Sequence, residues 1–366
     1  MDMNRRTVLM TGAAVSLLAL MPRRAMAAFR PEPNGWREFE LTTNIALPET
    51  SEAAQVWVPL PAVDQAGWSK PGATQWTTTA DRAEVVSNPE TGVMMLHAEW
   101  DAGNTKAKVL DLVNTVSAQS RDTDLSKPGE TPDLSAEERT LYTSAVALIP
   151  TDGLVKETSD KITELAESDL EKARLIYDWI VENTARNPET RGCGLGDVAS
   201  MLAVGDLTGK CADLNSLYVG LARAAGIPAR DVYGLRVAKS EFGYKSLGAG
   251  SPDVTKAQHC RAEVFLDGFG WVAVDPADVR KVMLEEPPKD LPLDDPKVVE
   301  ARNVLFGGWE GNWIAYNFAH DVVLPGSNAD PIAFLMYPQA ELAGALMDPL
   351  DMDNRYYTIT ARELTA

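Results

Sequence analysis

The feature that most constrains this 366-residue chain is a change of hydrophobic period between residues 119 and 135. Before it, apolar residues fall in short runs rich in Thr, Val, Trp and Leu, at 36–45, 54–58, 76–86, 92–100 and 107–117. Turn clusters such as Asn88-Pro89-Glu90-Thr91-Gly92 separate them. Short strands without helical pattern must cover their apolar faces with a second layer, so residues 28–119 are expected to form a β-sandwich-like domain. Residues 120–135 are polar, hold Pro128, Gly129 and Pro132, and read as a linker.

After the linker the period is helical, and residues 136–366 are expected to form a second domain with its core at 170–280. Ser135-Ala136-Glu137-Glu138 and Ser168-Asp169-Leu170-Glu171 are capping-box patterns. The second opens a helix with Ala173, Ile176, Tyr177 and Ile180 on one face, ending near Thr184. Leu214, Leu217, Tyr218, Leu221 and Ala225 form the stripe of another helix. Gly226, which tolerates the left-handed cap, and Pro228, which cannot continue a helix, end it. Strands are expected near 231–237, 259–266 and 271–275, with a further one over 312–324 and a Pro- and acid-rich surface excursion over 284–302. The fold class is therefore α+β, and there is no internal repeat.

The first 27 residues stand apart in charge. Arg5, Arg6, Arg23 and Arg24 face Asp2 alone, so this segment carries +3 and leaves the rest of a −19 chain at −22. A charged start, an apolar run from Thr7 to Met21 and a small-x-small site at Ala25-Met26-Ala27 are the layout of a secretory signal peptide, cleaved after Ala27. The paired arginines, the mild apolar core and the second arginine pair resemble a twin-arginine signal, with the twin-arginine export machinery as partner. A general secretory signal and an N-terminal anchor are the alternatives. A membrane span needs about 20 apolar residues and this run is shorter. The expectation is a periplasmic or secreted protein without a stable membrane anchor. A surface of 53 acidic against 34 basic residues argues against nucleic-acid binding and against docking on anionic lipid. It makes cationic or neutral peptides more plausible partners than anionic polymers.

The chemistry-bearing residues are few: Cys193, Cys211, Cys260, His97, His259 and His320. No pair has zinc-finger spacing, and phosphate-loop and Gly-x-Ser-x-Gly motifs are absent, so neither a metal nor another cofactor is expected. Cys211 falls in the first turn of its helix, where free N–H groups and the dipole favour a thiolate. A lone cysteine is ordinarily a small buried hydrophobe; what singles this one out is a base within reach. His259 is that candidate and Asp275 the acid that would orient it. Ala262, Val264 and Leu266 share one face of the first hairpin strand, and Val272 and Val274 one face of the second. Both sets are buried together only if opposing residue numbers have an even sum. Among such registers, one centred on Asp267 sets His259 opposite Asp275. The same parity sends Cys260 to the other face, as a core residue. For Cys193, on a loop, a disulfide to Cys260 and a place beside Cys211 as oxidation partner both stay open. Thiolate attack on an acyl carbon, imidazole proton transfer and a carboxylate that fixes the tautomer would together perform acyl transfer, with the Cys211 N–H as one oxyanion donor. His97 is expected to be surface or core rather than catalytic, and the aromatics Trp309, Trp313 and Tyr316 to pack a closing strand.

At these residues the chain resembles the bacterial transglutaminase-like proteins. Gly209-Lys210-Cys211-Ala212-Asp213-Leu214, with Leu221 through Arg230 after it, looks like the family's nucleophile motif. His259 and Glu263 match its His-x-Trp-x-Glu motif with Arg261 in the Trp place, and Trp271 to Pro276 matches its aspartate motif. The resemblance implies a papain-like core and a Cys211–His259–Asp275 triad. It implies an exported thiol enzyme acting on amide bonds of peptides or proteins, by hydrolysis first and protein-glutamine amine transfer second. A non-catalytic peptide- or envelope-binding module is the reading from another class.

Overall fold

The computed structural model describes residues 28–364 apart from Glu90; the signal peptide expected at 1–27 lies outside the described residues. The architecture mixes helix and sheet. A five-stranded antiparallel sheet carries the core, in the spatial order Phe306–Gly307, Gly270–Val274, Gln258–Leu266, Ala229–Arg236 and Trp313–Asn317. The helix Cys211–Ala224 packs on it and is buried along its whole length. Helices Gly153–Thr163 and Asp169–Asn183 cover that helix in turn. Leu217, Tyr218, Leu221 and Ala225 bring the apolar stripe to a cluster shared with Ile176, Tyr177, Ala262, Val264 and Val272, while Leu214 faces the cluster that holds Cys211 and Cys260. Burying one such Leu or Val side chain contributes about 1.5–3 kcal/mol.

Local signals decide several boundaries. The Ser135 side chain accepts from the Glu138 N–H while Glu138 returns a bond to the Ser135 N–H, the full capping box. Ser168 caps the 169–183 helix, which ends at Thr184. Gly226 adopts φ 83° beyond the 211–224 helix. Three readings change. The run 76–86 is two strands, Ser69–Thr78 and Arg82–Ser87, because the chain turns at Thr79–Asp81. The excursion over 284–302 leads into a helix, Pro296–Val304, with Asp295 as cap and Pro296 in its first turn. The strand expected over 312–324 stops at Asn317, after a register shift against Ala229–Arg236.

The N-terminal strands form two further antiparallel sheets, and each takes a strand from the far end of the chain. Arg37–Ala46 pairs on one side with Val109–Ala118 and on the other with Tyr357–Glu363. Ala54–Pro59 lies between Met94–Trp100 and Gln339–Leu342. One apolar cluster takes Phe39, Leu41, Val56, Leu112 and Ile359 from both sheets and runs on to Cys193, Cys211 and Cys260. Residues 119–131 lie along the core: Arg121 bridges Trp309, and the Gly129 N–H donates to the Gly268 carbonyl. Among the described residues no helix is long and apolar enough to cross a membrane.

Candidate active site

Cys211 stands at the first helical position, 4 % exposed. Its own N–H has no intrahelical acceptor there. The next N–H, of Ala212, is already taken by the Cys193 carbonyl at 2.9 Å. Asp213 closes the turn, accepting from the Lys210, Leu195 and Gly196 N–H groups. That use requires glycine nearby: a Cβ on Gly194 or Gly209 would meet the Asp213 carboxylate within 2.5 Å. Asp213 therefore braces the loop 192–196 against the nucleophile turn.

His259 and Asp275 come together, though not by the expected register. Ala262 pairs with Val274, Val264 with Val272 and Leu266 with Gly270, so the hairpin centres on Gly268. The even sum holds and the centre moves by one residue. A centre at Asp267 would put Leu266 in the loop, whereas it is 1 % exposed and forms the last rung. Asp275 thus lies just past the ladder. Its side chain caps the following helix through the Asp278 N–H, with Pro276 in the first turn. From there Oδ2 reaches His259 Nε2 at 2.8 Å, and Oδ1 accepts from Asn215 Nδ2 at 3.2 Å.

A second acid, Asp278, stands 3.3 Å from the same imidazole nitrogen and 2.6 Å from Arg236. Sequence reasoning passed over both, although Asp275-Pro276-Ala277-Asp278 is a helix-start signal that would have placed the two carboxylates together. Burial and the Arg236 charge lower the His259 pKa, but Asp278 and Asp275 outweigh them and lift it to about 9. Asp275 is raised by burial and by Asp278; Asp278 is held well below the usual range, since Arg236 and His259 overcome its burial. Arg261 is buried between Trp309 and Trp313, with its guanidinium carbon 4.9 and 4.7 Å from their ring centres and Nε 3.5 Å from Asp275. The aromatics pack the core as expected.

With Nε2 engaged by carboxylates, the imidazole keeps Nδ1 for the sulfur side. The adjoining Cys193 and Cys260 sulfurs hold Cys211 well below its ordinary pKa against burial, and the His259 imidazole adds to this. Cys193 is pushed upward by Cys211, and Cys260 first by its own burial and then by the neighbouring sulfurs. All three cysteines are free, and their sulfurs lie within 4.8 Å of one another. Cys260 is a fully buried core residue, yet its sulfur adjoins that of Cys211. The three sulfurs form one donor set that could hold a soft metal ion. His259, Asp275 and Asp278 form another, but Arg236 and Arg261 already neutralise its carboxylates. His97 lies apart, stacked on Trp57 and bonded to Gln55. His320 meets Tyr233 and Asp231.

Cys211 and His259 open on a cleft of about 570 Å³, whose walls include Gln258 and the C-terminal residues Tyr337, Leu350, Met352 and Tyr357. Residues 156–276 match the family model of the transglutaminase-like superfamily. An uncharacterized protein of Haemophilus influenzae is 36 % identical over 344 residues, covering 89 % of this chain and 91 % of that protein. The chain belongs to one family with it, built around a transglutaminase-like core.

Solved structures are similar to the chain as well. A proposed cysteine protease from Cytophaga hutchinsonii covers 90 % of this chain and 99 % of its own, with 15 % identity and a TM-score of 0.52. The periplasmic domain of TgpA from Pseudomonas aeruginosa covers 70 % and 90 % at 16 % identity and a TM-score of 0.35. The first likeness concerns the fold. Gln258 is a further residue that sequence reasoning missed. It precedes His259, shares the Cys260 side of the strand by alternation, and lines the cleft. Its Nε2 is buried and has no hydrogen-bond partner, while its carbonyl accepts from the Cys193 thiol at 3.3 Å. A buried amide donor left unpaired is costly unless something else satisfies it.

Proposed function

We propose that this chain is a thiol-dependent amidase or peptidase acting through Cys211, His259 and Asp275. The observation that carries the reading is the Asp275–His259 contact at 2.8 Å beside a buried thiol whose pKa is depressed, at the floor of an open cleft. The Cys211 thiolate attacks the amide carbonyl. The resulting oxyanion is met by the Cys211 N–H and by Gln258 Nε2. The His259 imidazolium gives its proton to the departing amine, leaving a thioester. Water then attacks that thioester, His259 removes its proton, and collapse of the intermediate expels the Cys211 thiolate and frees the acid, which restores the thiolate and imidazolium. Asp275 and Asp278 keep Nε2 protonated throughout and stabilise the imidazolium. A primary amine in place of water would give amine transfer by the same steps.

Iodoacetamide tests the nucleophile. Mass mapping should show Cys211 alkylated rapidly well below pH 8, with Cys193 and Cys260 slow. A Cys211 profile like that of an ordinary thiol near 8.5 would sink the proposal. Hydrolysis and transfer separate on adding a primary amine to the turnover assay: free acid marks the first and a new amide the second. Neither product, with a peptide still bound, would favour a binding module. We further propose export by the twin-arginine route to the periplasm or medium. Replacing Arg5 and Arg6 by lysine should then stop it, and unchanged export would indicate the general secretory path.

A further inference from the structure

The charge of the cleft is opposite to that of the molecule. Among the residues that line it, seven are basic and only Asp253 is acidic, in a chain of net charge −19. Four of the cations are paired from behind the wall. Arg186 and Lys281 share Glu285, Arg236 meets Asp278, and Arg191 meets Asp348. Lys210, Lys256 and Arg355 have no ion pair among the described residues. Counting Asp253 and the three paired carboxylates, the walls still hold about three positive charges in excess around a single thiolate.

A concave site of one sign, walled by protein rather than water, focuses its field and concentrates ligands of the other sign. Lys210 adjoins Cys211 in sequence and Lys256 lies three residues before His259, so cations flank the reacting sulfur on both the helix and the strand side. The placement is separate from the buried Asp275–Asp278 cluster, which Arg236 and Arg261 neutralise. It also reverses the expectation drawn from overall charge, because a substrate meets the potential of the cleft before that of the distant surface.

We infer that the cleft takes acidic peptides, with carboxylates flanking the amide presented to Cys211. This rests on the amidase reading above for the turnover step, but not for binding. Three peptides with one scissile amide, flanked by Glu, Gln or Lys, separate the two. The Glu peptide should have a kcat/KM about tenfold or more above the Gln peptide, with the Lys peptide lowest, and the advantage should shrink between low and high salt. The double variant K256E/R355E should remove most of that preference, read as the ratio of kcat/KM for the Glu peptide to that for the Gln peptide. Gln or Lys peptides turned over as fast as Glu, or a preference the variant does not alter, would overturn the inference.

A readout free of turnover accompanies it. Iodoacetate, relative to iodoacetamide, should alkylate Cys211 several-fold faster than it alkylates a free thiol, and the ratio should fall in K256E/R355E. The Glu peptide should slow that alkylation more than the Gln peptide does. Protection without turnover of any peptide would remove the amidase reading and keep the acidic ligand. An iodoacetate ratio like that of free cysteine, without selective protection by the Glu peptide, would remove the ligand class.

Discussion

Two clusters of buried charge sit on the strand Gln258–Leu266, four residues apart. At Glu263, a fully buried carboxylate lies between Arg121 and Arg230, with Trp271 and Phe318 against the second arginine. The arginines outweigh burial and keep Glu263 below its ordinary range. That group is a carboxylate held by two guanidiniums, without an imidazole or a thiol. At His259 the charges are as deeply buried, but an imidazole with two carboxylates and a thiol stands among them. Similar burial and similar counter-charge therefore serve two ends. Fixed charges tie residue 121 to the sheet, while an imidazole set between two carboxylates and a thiol can pass a proton on.

Removing one residue from each cluster is the sharpest way to break that contrast. His259→Ala should lower kcat by about 10⁴ in a peptide-amide assay while the protein stays folded. Glu263→Gln leaves two arginines buried without their counter-ion and should cost about 3–5 kcal/mol in denaturant unfolding, with activity per folded molecule retained. Equal losses of activity would show that the clusters are not distinct in kind. Gln258→Ala comes next, with a fall of about 10² in kcat and little change in KM if its amide meets the oxyanion; a change in KM alone would make it a binding residue.

The pH predictions are smaller. His259 is raised from 6.5 to about 9 in the folded state, so the stability that its charge supplies is complete below pH 6.5 and lost as pH rises through about 9. Activity that needs the imidazolium should fall over the same alkaline range, as read from a pH–rate profile. Asp278→Asn should move that limb down by about one pH unit with a modest effect on the rate at pH 7, since Asp275 remains. A limb that stays in place would assign the raised pKa to Asp275 alone.

What was legible from the residues is local. The helix start before Cys211, its stop at Gly226 and the parity of the hairpin all rest on patterns within a dozen positions. The centre of the hairpin was not, because registers two apart in sum bury the same valines, and only the burial of Leu266 decides between them. Arg121 and Gln258 escaped for a different reason. Arg121 approaches Glu263 across 142 residues, and Gln258 is notable only because its amide lacks a partner, which no spacing reveals.

The pairing of Tyr357–Glu363 with Arg37–Ala46 bears on when this molecule can first work. A ribosome adding 5–20 residues per second takes roughly 20–70 s over 366 residues. Throughout that time the strands Arg37–Ala46 and Ala54–Pro59, which are made early, each keep one open edge that only the final segment can fill. The same segment carries Tyr337 and Tyr357 into the cleft wall beside Cys211. A nascent chain thus holds its thiol in an unwalled site until the strands Gln339–Leu342 and Tyr357–Glu363 have been made and paired.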